Sequence, residues 1–494
     1  MKDILLIISD QHSYSIQGYA GNNIIRTPNL DRLASEGVVM TDAYTSCPLC
    51  VPARMSFLSG QLPSSTGVLG NMTSLSSNIA TYVHSLASIG YETVLCGRMH
   101  FVGPDQRHGF SKRIAKETTP LYHNRPASLA EERKDFAITF AEFGAIRYMG
   151  AGSSPTLEYD RYVFEEALKY LDEDHEKPQF LCVGTYSPHF PYIAPPDLYD
   201  YYYDRVPMPD DTFEYDEHPI FTNKLRDTDP EVVRAARAAY YGMTEFLDIN
   251  IGLVVEKWNE FLVRNGRQGI IIYVSDHGDQ NGERGFYGKT TFYEASAHIP
   301  MLITGSGIPA GKTIDTPTSI MDLGPTICEL VEAPIPPDQE GKSLMPQIVG
   351  DSADEDRAVI SELLLGSGDN RSLGRMVKWR NYKFITFSGY EKHDQLFDLE
   401  QDPLELENVI SRHPEIAERL RKIADVKKPP SVVFKEQKTL DKHREILSKC
   451  TFDSDERWRC NEAAVQPPLR LTKSKQPFPN REKIGQMMSM ILEK

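Results

Sequence analysis

The stretch Cys50-Val-Pro-Ala-Arg54, followed by Met55-Ser-Phe-Leu-Ser-Gly60, pairs a thiol with an arginine four residues later. On the first turn of a helix that spacing can return the guanidinium to the thiol position. A fixed positive charge there favours an anionic nucleophile. Cys47 also makes Cys47-Pro-Leu-Cys50 a Cys-x-x-Cys, so a redox pair, half a zinc site and a buried structural thiol are competing readings. No second Cys-x-x-Cys and no Cys/His pair at finger spacing accompanies it. A second set of groups could hold a metal: Asp10 and Gln11 near the start of the chain, and Asp276 and His277 much later. Oxygen donors suit a hard divalent cation, calcium first, while His277 moves the preference towards manganese or zinc. Singly, each of these residues reads as a helix cap or turn.

The elements that must position them are legible as apolar runs ending in polar residues. Ile4 to Ile8 ends in Ser9-Asp10-Gln11, Phe180-Leu-Cys-Val-Gly184 leads into Ser187-Pro188-His189, and Gly269-Ile-Ile-Ile-Tyr-Val274 leads into Ser275-Asp276-His277-Gly278. Such runs suit parallel strands covered on both faces, and the carboxyl ends of parallel strands are where open α/β sheets bind ligands. Helical segments alternate with them: Thr27 to Gly37, with Pro near its start and Gly at its end, Glu158 to Asp172, and Glu231 to Leu262 as one or two helices. The expected fold is α/β, a mostly parallel sheet sandwiched by helices. After about residue 345, Ala358–Leu364, Met376–Trp379 and Tyr382–Phe387 read as short antiparallel strands. The division expected is a catalytic domain over residues 1–350 and a smaller α+β subdomain over 351–494. The tail from about Lys427 reads as an arm on a neighbouring subunit or a surface wrap.

The Cys-x-Pro-x-Arg stretch with its trailing Gly60 resembles the signature of the type I sulfatases of the alkaline phosphatase superfamily. That resemblance implies that Cys50 is oxidised to formylglycine by a maturing enzyme. One hydroxyl of the hydrated aldehyde would attack sulfur and the other would help expel sulfate. Further stretches resemble family motifs in the same order. Gly97-Arg98-Met99-His100 is similar to Gly-Lys-x-His with Arg98 in place of lysine, and Ser187-Pro-His189-Phe-Pro-Tyr192 to Pro-His-x-Pro-Tyr. Gly285-Phe-Tyr-Gly-Lys289 with Phe292-Tyr-Glu294 is similar to the second-lysine motif, and Gln395-Leu-Phe-Asp-Leu-Glu-Gln-Asp-Pro403 to a closing segment. By the same resemblance Asp10, Gln11, Cys50, Asp276 and His277 surround one divalent ion, and Asn71, Arg98 and Lys289 contact substrate. Cys50, Arg54, His100, His189 and Lys289 carry the reaction, with Asp276 as base. Met99 to Gln106 and His108-Gly-Phe110 look most like the choline-sulfatase-like branch, near the phosphonate monoester hydrolases, although the end of the chain lacks an arginine-rich choline-sulfatase ending.

The expected activity is hydrolysis of a sulfate monoester on a sugar or small organic molecule. A phosphonate monoester or phosphodiester hydrolase and a noncatalytic sulfate- or glycan-binding relative are the alternatives. The formal net charge of −16 argues against nucleic acid, because phosphate backbones reward basic surfaces, but one basic pocket can sit in an acidic shell. The first apolar run is too short to span a membrane and lacks a signal peptide's pattern, so a cytoplasmic protein with no membrane association is expected. The 7 cysteines do not suggest a disulfide scaffold. A homo-oligomer is expected by analogy with the branch. Tyr199-Asp-Tyr-Tyr-Tyr-Asp204 reads as a cation or sugar site or as packing.

Overall fold

Strand β1 (Asp3–Asp10) is buried along its whole length. Its side chains divide by parity: Ile4, Leu6 and Ile8 enter one hydrophobic cluster, Leu5 and Ile7 another, which is the two-residue period of a strand covered on both faces. The computed structural model describes residues 1–118, 145–210, 213–222, 224, 226–350, 354, 356–449, 470–473 and 475. In it β1 lies inside an eight-stranded sheet with β2 (Gly37–Met40), β3 (Glu92–Gly97), β4 (Lys112–Ala115), β5 (Gln179–Pro188), β6 (Gly269–Ser275), β7 (Met301–Gly305) and β8 (Lys312–Ile314). Across the sheet the order is β8-β2-β7-β6-β1-β5-β3-β4. β7 is antiparallel to both neighbours and the remaining pairs are parallel, so the sheet is mostly parallel, as expected.

Helices cover both faces. In chain order they include α1 (Pro28–Ser35), α2 (Cys50–Ser59), α3 (Pro155–Asp172) and α4 (Pro230–Arg264). Val51, Met55, Phe57 and Leu58 of α2 pack with Ile4, Leu6 and Ile8. Val163 and Ala167 of α3 and Ile251 and Val255 of α4 pack with Leu5 and Ile7 on the other face. The stretch from 231 to 262 is a single helix, α4, of 35 residues. α1 stops at Ser35 with Glu36 as a right-handed cap, and Gly37 is not its terminator. Gly37 opens β2, where a Cβ would stand 2.3 Å from the carbonyl oxygen of Ile303, so a close strand contact requires the glycine.

The C-terminal strands form a four-stranded antiparallel sheet, β9 (Ala358–Leu365), β10 (Ser372–Trp379), β11 (Tyr382–Phe387) and β12 (Gln395–Asp398), paired in sequence order. Trp379, Phe384 and Leu396 join the cluster beneath the main sheet. Two lysines reach across. Lys378 Nζ lies 2.7 Å from Asp42 Oδ2, and Lys383, fully buried, lies 2.7 Å from Glu294 Oε1 and also pairs with Glu405. Helices α5 (Pro414–Asp425) and α6 (Pro430–Leu447) follow. α6 occupies part of the stretch read as an arm or wrap; most of the remainder lies outside the described residues. Tyr199 and Tyr202 are buried in a third cluster, and Tyr201 lies flat against Arg26 and Arg205, 3.7 and 4.3 Å from its ring centroid, so this run serves packing. Among the described residues, no helix is long and apolar enough to cross a membrane.

The register brings the polar strand ends to one edge. Ser9 pairs with Ser275, Asp10 with Pro188, and Gly97 with Gly184, so Asp10, Asp276, His189 and Arg98 emerge side by side. The last pair must stay small: a Cβ on Gly184 would stand 1.8 Å from the carbonyl oxygen of Arg98.

Candidate active site

Cys50 is the first residue of α2 and is buried. Leu49, at the cap position, offers the helix no side-chain acceptor. Asn71 supplies one from a neighbouring loop, its Oδ1 accepting the Val51 N–H at 3.0 Å, which satisfies one of the orphan donors of a helix N-terminus. The Cys50 sulfur lies 3.7 Å from Asp10 Oδ1, 3.2 Å from His277 Nε2 and 3.1 Å from Lys289 Nζ. Burial and then Asp10 push the thiol up, but Lys289 and His277 bring it below its ordinary value. Cys47 does not share this environment. It packs with Phe286, Phe292 and Met376, and burial pushes its thiol well up, so the Cys-x-x-Cys is divided between the site and the core, and both thiols are free.

Arg54 is fully buried between the two strand-end acids. Its Nε donates to Asp276 Oδ2 at 2.7 Å, its Nη2 to Asp10 Oδ2 at 3.3 Å, and Nη1 to the Arg98 carbonyl at 3.1 Å. Arg98 reaches the same carboxylate, Nε to Asp10 Oδ2 at 2.6 Å, and stacks over Tyr186 with 4.1 Å to the ring centroid. Each carboxylate thus gives one oxygen to an arginine and turns the other inward. Oδ1 of Asp10 and Oδ1 of Asp276 lie 3.8 and 3.7 Å from His277 Nε2. Burial opposes the charge on Asp10, yet Arg98, with Arg54 and Lys289, holds its carboxyl well below the usual range. Gln11 turns at a left-handed φ of 70°. Its N–H donates to Asp276 Oδ1 at 3.0 Å and its Oε1 accepts from Lys289 Nζ at 2.7 Å.

Two histidines are held in opposite tautomers. Nδ1 of His189 lies 2.7 Å from the Phe190 carbonyl, which can only accept, so Nδ1 carries the proton and Nε2 a lone pair. Burial, then Lys289, pushes His189 well down and keeps it neutral. Nδ1 of His100 lies 2.7 Å from Arg98 Nη2, which can only donate, so the His100 proton sits on Nε2. The His100 N–H donates to Glu117 Oε2 at 2.9 Å, and Arg98 Nη1 lies 3.5 Å from Glu117 Oε1.

Glu117 was not found from the sequence. It is buried, but a lone Glu after a short strand carries no motif. Asp279 was also missed. It accepts from Tyr192 OH at 2.7 Å behind the site, and its place two residues past His277 was the only available signal. The residues singled out in the sequence, Asp10, Gln11, Cys50, Arg54, Asn71, Arg98, His100, His189, Asp276, His277 and Lys289, all meet at this strand edge.

The side chains fit a cation. Ligand atoms of Asp10, Cys50, Asp276 and His277 all lie within 4.8 Å of one another and are buried. Opposed oxygens at calcium's bond length of about 2.3–2.6 Å span about that distance. His277 presents the correct tautomer, since Nδ1 lies 2.9 Å from the Gly278 carbonyl and Nε2 therefore points a lone pair into the cluster. Burial lowers the pKa of this imidazole most strongly, but Asp276 and the Cys50 sulfur together outweigh it and the net shift is upward, so a metal would compete with a proton for Nε2.

Residues 2–333 match the family described as Sulfatase. The chain belongs to the sulfatase family. Residues 282–428 also match the family described as N-sulphoglucosamine sulphohydrolase, C-terminal. The choline-sulfatase of Rhizobium meliloti (strain 1021) is 32% identical over 428 residues, covering 82% of this chain and 82% of that protein. The arylsulfatase of Clostridium perfringens (strain 13 / Type A) is 29% identical, covering 85% and 93%. The phosphonate monoester hydrolase of Agrobacterium radiobacter shares the fold at a TM-score of 0.68 and 20% identity, over 86% of this chain and 95% of that one. This sulfatase is therefore a sulfuric ester hydrolase with the alkaline-phosphatase-like architecture expected. Its family implies a divalent metal and a formylglycine at the cysteine.

Proposed function

We propose that this sulfatase cleaves the sulfate monoester of a sulfated sugar or small organic molecule at residue 50, carried as formylglycine, beside one calcium ion held by Asp10, Gln11, Asp276, His277 and residue 50. The supporting observation is convergence. The Cys50 sulfur marks where the aldehyde-derived oxygens would stand, and it lies 3.7 Å or less from Asp10, His277 and Lys289. When bound, the cation and the hydrated aldehyde supply, respectively, positive charge against the sulfate oxygens and a pair of hydroxyls for attack and release.

The chain's own residues do the rest. Lys289 Nζ, 3.1 Å from the sulfur, holds a sulfate oxygen and stabilises the charge that develops on it. Arg54, fixed between Asp10 and Asp276, supports the anionic form at residue 50. Asp276 receives the nucleophile's proton at Oδ1, its other oxygen being held by Arg54. His100 donates from Nε2 to the leaving oxygen, while His189, with its bare Nε2, accepts from the leaving group and orients it. Arg98 fixes Asp10 and His100, and Asn71, held beside the first turn of α2, is a substrate contact. Residues 1–350 carry this machinery as the catalytic domain, residues 351–494 form the smaller subdomain, and the chain assembles as a homo-oligomer.

Co-expression with a formylglycine-generating enzyme tests the reading. The peptide spanning Cys50 should carry an aldehyde by mass spectrometry, the protein should contain calcium rather than manganese or zinc, and it should turn over 4-nitrophenyl sulfate. A matured protein inert to sulfate esters would refute it. A phosphonate monoester or phosphodiester hydrolase is the second reading, favoured by the shared fold and by a cation set that would hold either tetrahedral anion. Matched aryl sulfate and phosphonate esters compared by kcat/KM decide between them.

A further inference from the structure

A second group of charges lies beside the loop that carries Asn71, on the last two turns of α6 and on Arg371, the residue before β10. Asn71 stands two residues before Thr73, and Thr73 Oγ1 accepts from Arg444 Nη2. Two residues of extended chain span at most about 7 Å, so the Arg444 guanidinium is close to Asn71. Arg444 shares a carboxylate with another arginine. Asp441 accepts from Arg444 Nη1 at 3.3 Å through Oδ1 and from Arg371 Nη2 through Oδ2. The Arg371 side chain is only 8% exposed, yet its Nε has no hydrogen-bond partner among the described residues.

Among the described residues these two guanidiniums share one carboxylate, which leaves a positive charge uncompensated there, and a buried donor without an acceptor is costly unless something else satisfies it. Burial lowers the pKa of Arg444, and Arg371 adds to the lowering against the pull of Asp441, the signature of a cation lacking counter-charge. The pair is held in place. Leu69, Leu373 and Val433 form a small cluster joining loop, sheet and helix, and Gln437 Nε2 donates to the Gly67 carbonyl at 2.9 Å.

We propose that Arg371 and Arg444 form an anion subsite that binds a second charged group of the substrate, a sulfate or a carboxylate, so that the enzyme prefers multiply anionic sulfated sugars over singly charged esters. The proposal rests on the sulfatase reading above and adds its substrate class. Arginine suits the task because its planar fork matches sulfate and carboxylate geometry.

The test compares glucosamine 2-N,6-O-disulfate with N-acetylglucosamine 6-O-sulfate on the matured enzyme. Wild type should favour the disulfate by tenfold or more in kcat/KM. Arg444→Gln and Arg371→Gln should each reduce that preference at least tenfold, mainly through KM, and Arg444→Lys should keep most of it. Equal losses on both esters, or a wild type that prefers neither the disulfate nor a uronate-bearing ester over its singly charged counterpart, would overturn the subsite. A monosulfated disaccharide bearing a uronate, run beside its neutral counterpart, identifies the second anion as carboxylate if it gains and as sulfate if only the disulfate does. Calorimetry on Cys50→Ala separates the two claims: tighter binding of the disulfate or of the uronate-bearing ester than of its singly charged counterpart, lost in Cys50→Ala/Arg444→Gln, supports the subsite without turnover, and equal affinities in both comparisons defeat it. Turnover of 4-nitrophenyl sulfate bears on the sulfatase reading alone.

Discussion

Nη2 of Arg98 donates to Nδ1 of His100 at 2.7 Å, and this bond decides which nitrogen of His100 can give a proton. The consequence depends on the leaving group. A nitrophenolate departs without protonation, whereas an alkoxide does not. His100→Ala should therefore lower kcat/KM on an alkyl or sugar sulfate by about 10²–10⁴ and on 4-nitrophenyl sulfate far less. Arg98→Lys, which keeps the charge but loses the fork, should move in the same direction by a smaller factor. Equal losses on both esters would remove His100 from the proton-donor role.

Cys50→Ala should abolish turnover and leave the fold intact, because the change removes one buried sulfur and no backbone contact. Far-UV circular dichroism with an activity assay checks both halves. Activity near that of wild type would refute the nucleophile assignment.

Asp10 answers two buried arginines at once, Arg98 at 2.6 Å and Arg54 at 3.3 Å. Asp10→Asn leaves both under-compensated, and breaking a buried pair from one side costs about 3–5 kcal/mol. The variant should melt well below wild type and should no longer gain stability from added calcium, while wild type stripped by a chelator should regain both activity and melting temperature when calcium is restored. His277 adds a pH dependence. Its pKa is raised in the metal-free chain, so a proton blocks Nε2 below that value and metal affinity should fall as pH falls. Calcium titrations at several pH values that give one affinity would contradict this.

Asp248 accepts the N–H groups of Asn29 and Leu30 at 3.2 and 2.8 Å, capping α1 from α4. Burial raises its pKa to about 6. Because the folded value exceeds the unfolded one of about 4, the folded state binds the proton more tightly. The associated stability is fully present below about pH 4 and is lost as pH rises through about 6, on the order of 3 kcal/mol. Asp248→Asn carries no such loss, so the denaturation midpoint of wild type should fall relative to that of the variant between pH 4 and 7. Parallel pH profiles would overturn the assignment.

The sheet and the position of the site were legible because two independent patterns coincide: apolar runs that need cover on both faces, and acids, histidines and lysine just past their ends. Strand register then leaves Asp10 and Asp276 little choice but to meet. What stayed hidden are choices of partner. A buried arginine can serve any nearby anion, and nothing in the order of residues tells that Arg98 binds Asp10, Glu117 and His100 together. Glu117 had no signal, since its importance lies in three backbone amides, of Met99, His100 and Thr118, and two guanidiniums, of Arg98 and Arg113, that fold around it. Gly37 looked like a helix stop because a glycine required by sterics between strands and one required by a turn are the same letter.

Lys378 and Lys383 project from the C-terminal sheet to pair with Asp42 and Glu294 of the preceding part of the chain. A protein ending at residue 350 would keep those acids and lose both lysines, leaving Glu294, only five positions beyond Lys289, with His298 as its remaining ion-pair partner among the described residues. The later third of the chain is thus a built-in electrostatic complement to the earlier part, and chimaeras that exchange it between relatives will need matching lysines at both places to stay soluble and active.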